Sequence, residues 1–165
     1  MAVNEIAMDA LSKALKLEQD GHAFYRQAAE RVNEAICKQT LASLAEEEQV
    51  HEAMIARQMQ ALREEGGFVE IPGLAAGEFD LSRRLFPPTS TEVESRVSNM
   101  STELEALQMA LGVEVTSYDF YRQAAQRTED AEGAAMYRWL AGAELTHFNL
   151  LMSNYEAINQ HASWT

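Results

Sequence analysis

The chain has 165 residues, of which 47% are apolar and 24% charged, and this predicts one domain over residues 1–165 with a single sizeable core. Its formal net charge of −13 and the lack of a basic stripe argue against nucleic acid as a partner. No apolar run approaches the roughly 18 residues of a membrane span, and no basic and apolar leader is found at the start, so we expect a cytoplasmic protein.

The first helical pattern runs from about residue 4 to residue 31. Its inner positions are spaced alternately by four and three residues, as on the buried side of a helix in a bundle. An acid in such a row needs a physical reason, because an unpaired buried charge is costly. The row consists of Leu11, Leu15, Glu18, His22, Tyr25 and Ala29.

A second helical pattern runs from about residue 34 to residue 65, and the phase of its leucines places Glu48 on the inner face. His51 follows three residues later, so its imidazole lies on the same face as the Glu48 carboxylate. The preceding acids, Glu46 and Glu47, fall on the outer face and are interpreted as solvated surface.

A turn near Asn33 is predicted to join these two helices as an antiparallel hairpin. Glu18 lies 15 residues before Asn33 and Glu48 lies 15 residues after it, so the two acids stand at the same height. We therefore expect their carboxylates to face each other, as two ligands of one metal ion would.

The connection over about residues 66–101 contains all three prolines and four of the eight glycines. Its length suits a crossover along the bundle, and we expect the third helix to start at the same end as the first. Capping boxes at Thr91 to Glu94 and Thr102 to Glu105 predict a short helical piece and then the main helix.

The second helix pair is predicted over about residues 102–159, with the third helix ending near residue 127. Thr128, followed by Glu129 and Asp130, is interpreted as the cap of the fourth helix with acids in its first turn.

The two helix pairs are repeats of each other at an offset of 96 residues. Between residues 10–51 and 106–147, 17 of 42 positions are identical, which indicates duplication rather than chance. Both halves therefore carry one acid on their first helix, followed 30 residues later by an acid and a histidine. The six residues are Glu18, Glu48, His51, Glu114, Glu144 and His147.

Four carboxylates and two imidazoles are thus predicted to converge at mid-height in one bundle. Four buried carboxylates carry a formal charge of −4, which two divalent cations would neutralise. Bridging carboxylates with one imidazole per ion fit iron or manganese better than zinc. The alternative from the residues alone is a cluster of protonated acids or a buried hydrogen-bond network.

This six-residue pattern resembles the di-iron carboxylate site of the ferritin-like superfamily. The start of the first helix, Ala14-Leu15-Lys16-Leu17-Glu18, and the repeated Phe-Tyr-Arg-Gln-Ala-Ala segments are similar to rubrerythrin-like proteins that lack the rubredoxin domain. The resemblance implies an all-α four-helix bundle built from two helical hairpins, with two iron ions (manganese being possible) that react with hydrogen peroxide or dioxygen. It leaves open whether Glu48 bridges together with Glu114 or with Glu144.

By the same resemblance, Tyr25 and Tyr121 would donate hydrogen bonds to ligand carboxylates, with aromatic core packing and another acceptor for each hydroxyl as the alternative. Rubrerythrins carry an additional glutamate where this chain has Leu111, which puts their ligand exchange in doubt here. Glu52 replaces the methionine that binds haem in bacterioferritins, so no haem is expected. The single cysteine, Cys37, excludes a rubredoxin-type iron, so an external electron donor protein is expected.

His22 lies one turn after Glu18, its counterpart in the second half is Tyr118, and both are candidates for residues that contact the ligands. His22 is interpreted as a hydrogen-bonded core histidine, with a seventh ligand or a proton donor as the alternatives. The function expected from the resemblance is peroxidase or ferroxidase chemistry. The alternatives are a non-enzymatic iron store that uses the same ligands and a metal-free structural bundle. We expect a homodimer, in which helix pairs exchanged between chains are conceivable.

Overall fold

The computed structural model describes residues 3–74 and 103–162. They form four helices: α1 (Val3–Arg31), α2 (Ala35–Glu64), α3 (Glu103–Arg127) and α4 (Ala131–Ala162). No strand is present among these residues, and the predicted all-α, ferritin-like four-helix fold is confirmed. The predicted short helical piece near Thr91 and the capping role of Thr102 lie outside the described residues.

The turn between α1 and α2 is the predicted one near Asn33. The Glu34 side chain accepts a hydrogen bond of 2.7 Å from the backbone N–H of Cys37 and so caps the start of α2. At the other end of α2, the backbone N–H of Glu65 bonds to the carbonyl of Ala61 at 2.8 Å. The Glu34 cap lies in the turn and starts α2 four residues after α1 ends at Arg31, which gives a tight hairpin, whereas the bond of Glu65 closes the far end of α2.

The cap of α4 differs from the prediction. Asp130 accepts hydrogen bonds of 2.9 Å from the backbone N–H groups of Glu132 and Gly133, so Asp130 is the residue that caps the helix. The Thr128 hydroxyl instead donates to the carbonyl of Ala124 at 2.7 Å, at the end of α3. The interpretation of Thr128 as the cap was wrong because its hydroxyl is used by the preceding helix.

The prediction that α3 starts at the same end of the bundle as α1 was wrong. The Glu103 carboxylate at the start of α3 accepts a hydrogen bond of 2.9 Å from the backbone N–H of Asn33, in the turn where α1 ends. At the opposite end, the Asn4 side chain donates to the carbonyl of Gly66, just after α2. Therefore α3 starts at the end where α1 stops, not where α1 starts, and the two hairpins are related by an approximate twofold axis across the bundle.

The chain after α2 folds back on the helix that it has just left. The buried amide of Gln58 donates to the carbonyl of Val69 at 2.7 Å and accepts from its backbone N–H at 2.9 Å. Phe68 packs edge-on against Tyr137, with ring centroids 6.3 Å apart. These contacts cover the end of the bundle at which α2 finishes.

The apolar core forms two clusters, one toward each end of the bundle. The first lies near the α1–α2 turn and contains Phe24, Leu41, Leu44, Leu107 and Leu151 among its buried residues. The second lies near the α3–α4 turn and contains Leu11, Ile55, Tyr121, Tyr137 and Leu140. Charged side chains occupy the layer between them. None of the described helices is both long and apolar enough to span a bilayer.

Candidate metal centre

The six acids and histidines singled out in the sequence lie together in the middle layer of the bundle. Each is on the inner face of its helix, because the apolar rows on either side of it fix the phase of that helix. Their exposed fractions are 2% for Glu18, Glu48, His51 and His147, 1% for Glu144 and 0% for Glu114. One chain supplies all six groups, two or one from each of its four helices.

One group of carboxylates surrounds His51. The Nδ1 atom of His51 lies 3.1 Å from Oε2 of Glu18 and 3.2 Å from Oε2 of Glu48. Oε1 of Glu144 approaches the same nitrogen at 3.4 Å from the second hairpin. The four residues offer ligand atoms that all lie within 4.8 Å of one another, so together they could hold one metal ion.

A second group surrounds His147 in the corresponding way. Its Nδ1 atom lies 3.6 Å from Oε1 of Glu48 and 3.6 Å from Oε2 of Glu114. Oε2 of Glu144 is 3.7 Å from the same atom. These four residues also offer ligand atoms within 4.8 Å of one another.

Glu48 and Glu144 belong to both groups, whereas Glu18 and Glu114 each belong to one. The shared acids turn one oxygen toward His51 and the other toward His147. The two imidazole rings are nearly parallel, with centroids 5.6 Å apart and an interplanar angle of 11°. Of the two pairs left open by the sequence, this geometry favours Glu48 with Glu144 as the acids between two metal positions.

Gly21 of α1 lies beside one of the shared acids. A Cβ atom at Gly21 would lie 3.6 Å from Cδ and Oε1 of Glu48, an ordinary contact distance, so the carboxylate packs beside this position of α1. The close approach of α1 and α2 at this height brings Glu18 and Glu48 into the same group.

Two buried tyrosines connect the hairpins through the acids. The Tyr25 hydroxyl donates to Oε1 of Glu114, and the Tyr121 hydroxyl donates to Oε1 of Glu18. Each tyrosine therefore holds the acid of the opposite hairpin. Burial raises the pKa of both hydroxyls well above the usual value of 10, so both remain protonated and act as donors.

The four acids separate into two kinds. Burial raises the pKa of Glu18 and of Glu114 well above the usual carboxyl value. Burial acts in the same direction on Glu48 and Glu144, but attractive interactions with neighbouring groups outweigh it and lower their pKa values. The shared acids are thus the ones that hold negative charge most strongly.

The two histidines supply part of the compensating positive charge. Burial lowers the pKa of His51, but the attraction of the surrounding carboxylates, led by Glu144, outweighs burial and raises it to about 12. The pKa of His147 is raised in the same way, by Glu114 first among the acids. Without a cation the cluster balances its charge with protons, and a bound cation would displace them.

Three atoms of the cluster have no hydrogen-bond partner within residues 3–74 and 103–162. They are Oε2 of Glu114, Oε1 of Glu144 and Nδ1 of His147. All three are typical metal-ligand atoms in fully buried positions, where an unpartnered polar atom costs roughly 1–3 kcal/mol. Such atoms need an explanation, and a cation in the cluster would provide one.

His22 and Tyr118 lie outside both groups. Nδ1 of His22 is 2.8 Å from the backbone carbonyl of Ala45, so this half-buried histidine joins α1 to α2 by a hydrogen bond. Tyr118 is 2% exposed and packs in the cluster near the α3–α4 turn. The geometry fits the interpretation of His22 as a hydrogen-bonded histidine better than that of a seventh ligand.

Glu47 and Trp139 touch the centre and were not singled out by the sequence. Oε2 of Glu47 lies 2.9 Å from Nε2 of His147, although the Glu47 side chain is 54% exposed. Trp139 meets the His51 ring edge-on, with centroids 5.5 Å apart. The interpretation of Glu47 as solvated surface was therefore incomplete: its long side chain reaches across from α2 to α4.

The Rubrerythrin family model matches residues 9–155, which include all six residues of the centre. The chain belongs to the rubrerythrin family. A rubrerythrin domain with this cluster is compatible with a di-iron site. No rubredoxin domain is evident among residues 3–74 and 103–162.

A solved structure shares this rubrerythrin fold. The chain is similar to a hypothetical protein from Pyrococcus furiosus, with 23% sequence identity and a TM-score of 0.65. The match covers 93% of this chain and 90% of the other. At that identity the similarity supports the four-helix fold alone. No curated protein matches the sequence.

Proposed function

We propose that this rubrerythrin is a di-iron oxidoreductase that reduces hydrogen peroxide or dioxygen, with manganese as the alternative metal. The observation that carries the proposal is the pair of four-residue groups that share Glu48 and Glu144. A single buried ion would need one such group, whereas two adjoining groups with two acids in common suit a pair of ions.

The residues present fit two divalent cations in number, charge and chemistry. Four carboxylates and two imidazoles are hard and borderline donors that suit iron and manganese. Two divalent ions would neutralise the formal charge of the four acids, and they would satisfy the unpartnered atoms of Glu114, Glu144 and His147. No additional residue is needed to complete the set.

Each residue has a distinct part in holding the ions. Glu18 and His51 would bind one ion, and Glu114 and His147 the other, because each pair belongs to only one group. The shared acids would bridge the two. Tyr25 and Tyr121 would hold Glu114 and Glu18, respectively, in position through their hydroxyls.

The iron pair, when bound, supplies the two electrons that convert hydrogen peroxide and two protons into two water molecules. The chain contributes geometry and enclosure. All six side chains are at most 2% exposed, and an apolar cluster lies on each side of them, so bulk water is largely excluded from the reacting centre. Continued turnover requires an external reductant, for which we propose a separate electron donor protein.

The position of Leu111 shapes the proposal. This side chain is partly buried and packs against the apolar cluster near the α1–α2 turn, where it offers no ligand atom. This position therefore offers no seventh ligand, and the six acids and histidines would hold the ions without the ligand exchange that an additional glutamate allows.

Anaerobic loading with ferrous iron, followed by rapid mixing with peroxide or air, tests this function. We expect two iron ions per chain, fast oxidation by one of the two oxidants, and repeated turnover when a reductant is added. His51→Ala and His147→Ala should each lose iron, while the matched control His22→Ala should retain two ions, because His22 lies outside both groups.

The outcomes separate the rival functions. Slow oxidation in a single turnover, without catalysis in the presence of reductant, would support an iron store that uses the same ligands. Protein purified without chelators that neither contains nor binds iron or manganese would support a structural bundle and contradict the proposal.

A further inference from the structure

We propose that the two metal positions are unequal, and that Glu47 makes the position of Glu114 and His147 the one that binds a metal ion more tightly. This inference rests on the proposed two-metal function and deepens it. Glu47 is assigned here as a positioning residue that acts through His147, not as a ligand.

The two nitrogens of His147 face different surroundings. Nε2 lies 2.9 Å from Oε2 of Glu47, while Nδ1 faces the acids of the centre at 3.6 to 3.7 Å. Nδ1 also has no hydrogen-bond partner among the described residues. The ring is thus held from outside by one carboxylate and presents its other nitrogen to the metal position.

This arrangement favours metal binding at Nδ1 for a simple chemical reason. When Glu47 accepts a hydrogen bond from the Nε2–H group, the proton stays on Nε2, and the lone pair of Nδ1 is left for the metal. The adjacent negative charge also makes the imidazole a stronger base and hence a better ligand. Partners of this kind typically change metal affinity by roughly 10- to 100-fold.

His51 has different neighbours. At the offset of 96 residues, the counterpart of Glu47 is Ala143, whose methyl side chain cannot accept a hydrogen bond. The His51 ring instead contacts the indole of Trp139 edge-on. The counterpart of Trp139 in the first hairpin is Ser43, which has no ring to offer His147. The ligands are therefore duplicated in this chain, but the groups that orient the two imidazoles are not.

The exposure of Glu47 limits what it can do for folding. Its side chain is 54% exposed, and exposed ion pairs contribute roughly 0–1 kcal/mol to stability. Its effect should therefore appear in metal binding, with little change in the stability of the metal-free protein. This distinction separates a positioning role from a merely structural one.

Anaerobic titration of the metal-free full chain with cobalt(II), monitored by calorimetry and by absorption spectroscopy, tests the inference. We expect two binding steps in the wild type, with dissociation constants at least about 10-fold apart. Glu47→Gln should weaken the tighter step by about 10- to 100-fold and bring the two steps together. The matched control Glu46→Gln, which removes one exposed charge from the adjacent position, should leave both steps unchanged.

A double variant locates the effect. In His147→Ala, the further change Glu47→Gln should have no additional effect on cobalt binding, because the ring through which Glu47 acts is gone. In His51→Ala, Glu47→Gln should still weaken the remaining step. The free energy of unfolding of the metal-free Glu47→Gln protein should stay within about 1 kcal/mol of the wild type.

Two results would overturn the inference, and they differ from a failure of the function itself. Two equal steps in the wild type, or a tight step that survives Glu47→Gln, would show that Glu47 does not distinguish the positions. A wild-type chain that binds no cobalt would overturn the metal centre as a whole, and with it the function on which the inference rests.

Discussion

In each hairpin, the first helix brings one acid to the middle of the bundle and the second helix brings an acid and a histidine. Around these shared groups the hairpins differ. The second supplies Trp139 and Tyr137 at positions where the first has Ser43 and Leu41. The first supplies Glu47 where the second has Ala143.

The comparison shows which positions are constrained by charge and which by packing. A buried carboxylate without a partner is costly, so the acids, histidines and donating tyrosines must be present in both hairpins. Packing positions need only fill space, and different side chains do so in the two halves. Differences in the packing layer can therefore make two similar metal positions behave differently.

The largest expected effect comes from the acids that both groups share. Glu48→Gln should weaken the binding of both metal ions by at least about 100-fold, because the Glu48 carboxylate belongs to both groups. This effect should exceed that of removing a residue that only contacts a ligand, such as Glu47. Glu18→Gln should weaken mainly the binding of one ion, because Glu18 belongs to one group. Metal content per chain after dialysis measures the difference.

Circular dichroism of the metal-free variants provides the control for folding. If Glu48→Gln and Glu18→Gln lost the same single ion, the shared position of Glu48 would have no consequence, and the two groups would have to act as separate sites.

The tyrosines test whether the hairpins depend on each other equally. Tyr25→Phe removes the donor to Glu114, and Tyr121→Phe removes the donor to Glu18. Each change leaves a buried carboxyl oxygen without that donor and should lower the free energy of unfolding by about 1–3 kcal/mol. Chemical denaturation of the metal-free proteins measures both values.

In a metal titration, Tyr25→Phe should affect the step that involves His147, and Tyr121→Phe the step that involves His51. Both variants weakening the same step would contradict the crossed pairing of tyrosines and acids.

Much of this arrangement was predictable from the sequence. The periodicity of the apolar residues gave the helices to within about three residues at their ends, and counting from Asn33 placed Glu18 opposite Glu48. The partners of the tyrosines were not predictable in the same way. Tyr25 and Glu114 are 89 residues apart and meet only because the hairpins pack across the bundle.

Other features could not be read from the sequence for similar reasons. The same helical pattern fits either direction of α3, and contacts such as that of Glu103 with Asn33 decide it. Glu47 falls on the outer face by periodicity, yet its flexible side chain reaches His147 on another helix. Contacts between helices depend on packing that periodicity does not encode.

Two glycines contrast a filled position with an open one. A Cβ atom at Gly133 would lie 2.9 Å from Cγ2 of Thr128 and 3.0 Å from the Phe68 ring, so Gly133→Ala should destabilise the protein by about 1–3 kcal/mol. Nothing lies within 4 Å of a Cβ atom at Gly112, and Gly112→Ala should stabilise by about 0.5–1 kcal/mol.

Thermal denaturation of the two glycine variants measures both effects. A Gly133→Ala protein as stable as the wild type would show that the contact with Phe68 is not tightly packed. The counterpart of Gly133 in the first hairpin is the buried Cys37, so the two halves differ here in packing and not in helix geometry.

The smallest expected effect concerns the contact that sets the direction of α3. Hydrogen bonds from the backbone N–H groups of Asn33 and Glu34 lower the pKa of Glu103 below the usual 4.5, and its counterpart in the first hairpin is Ala7. Because the folded pKa is lowered, this stabilisation is complete above about pH 4.5 and is lost as the pH falls through the folded pKa. Glu103→Gln should therefore cost about 0.5–1 kcal/mol at pH 7 and nothing at a pH below the folded pKa. Denaturation at several pH values, with the exposed Glu30→Gln as control, measures the difference, and a cost independent of pH would mean that the Glu103 charge does not hold the α1–α2 turn.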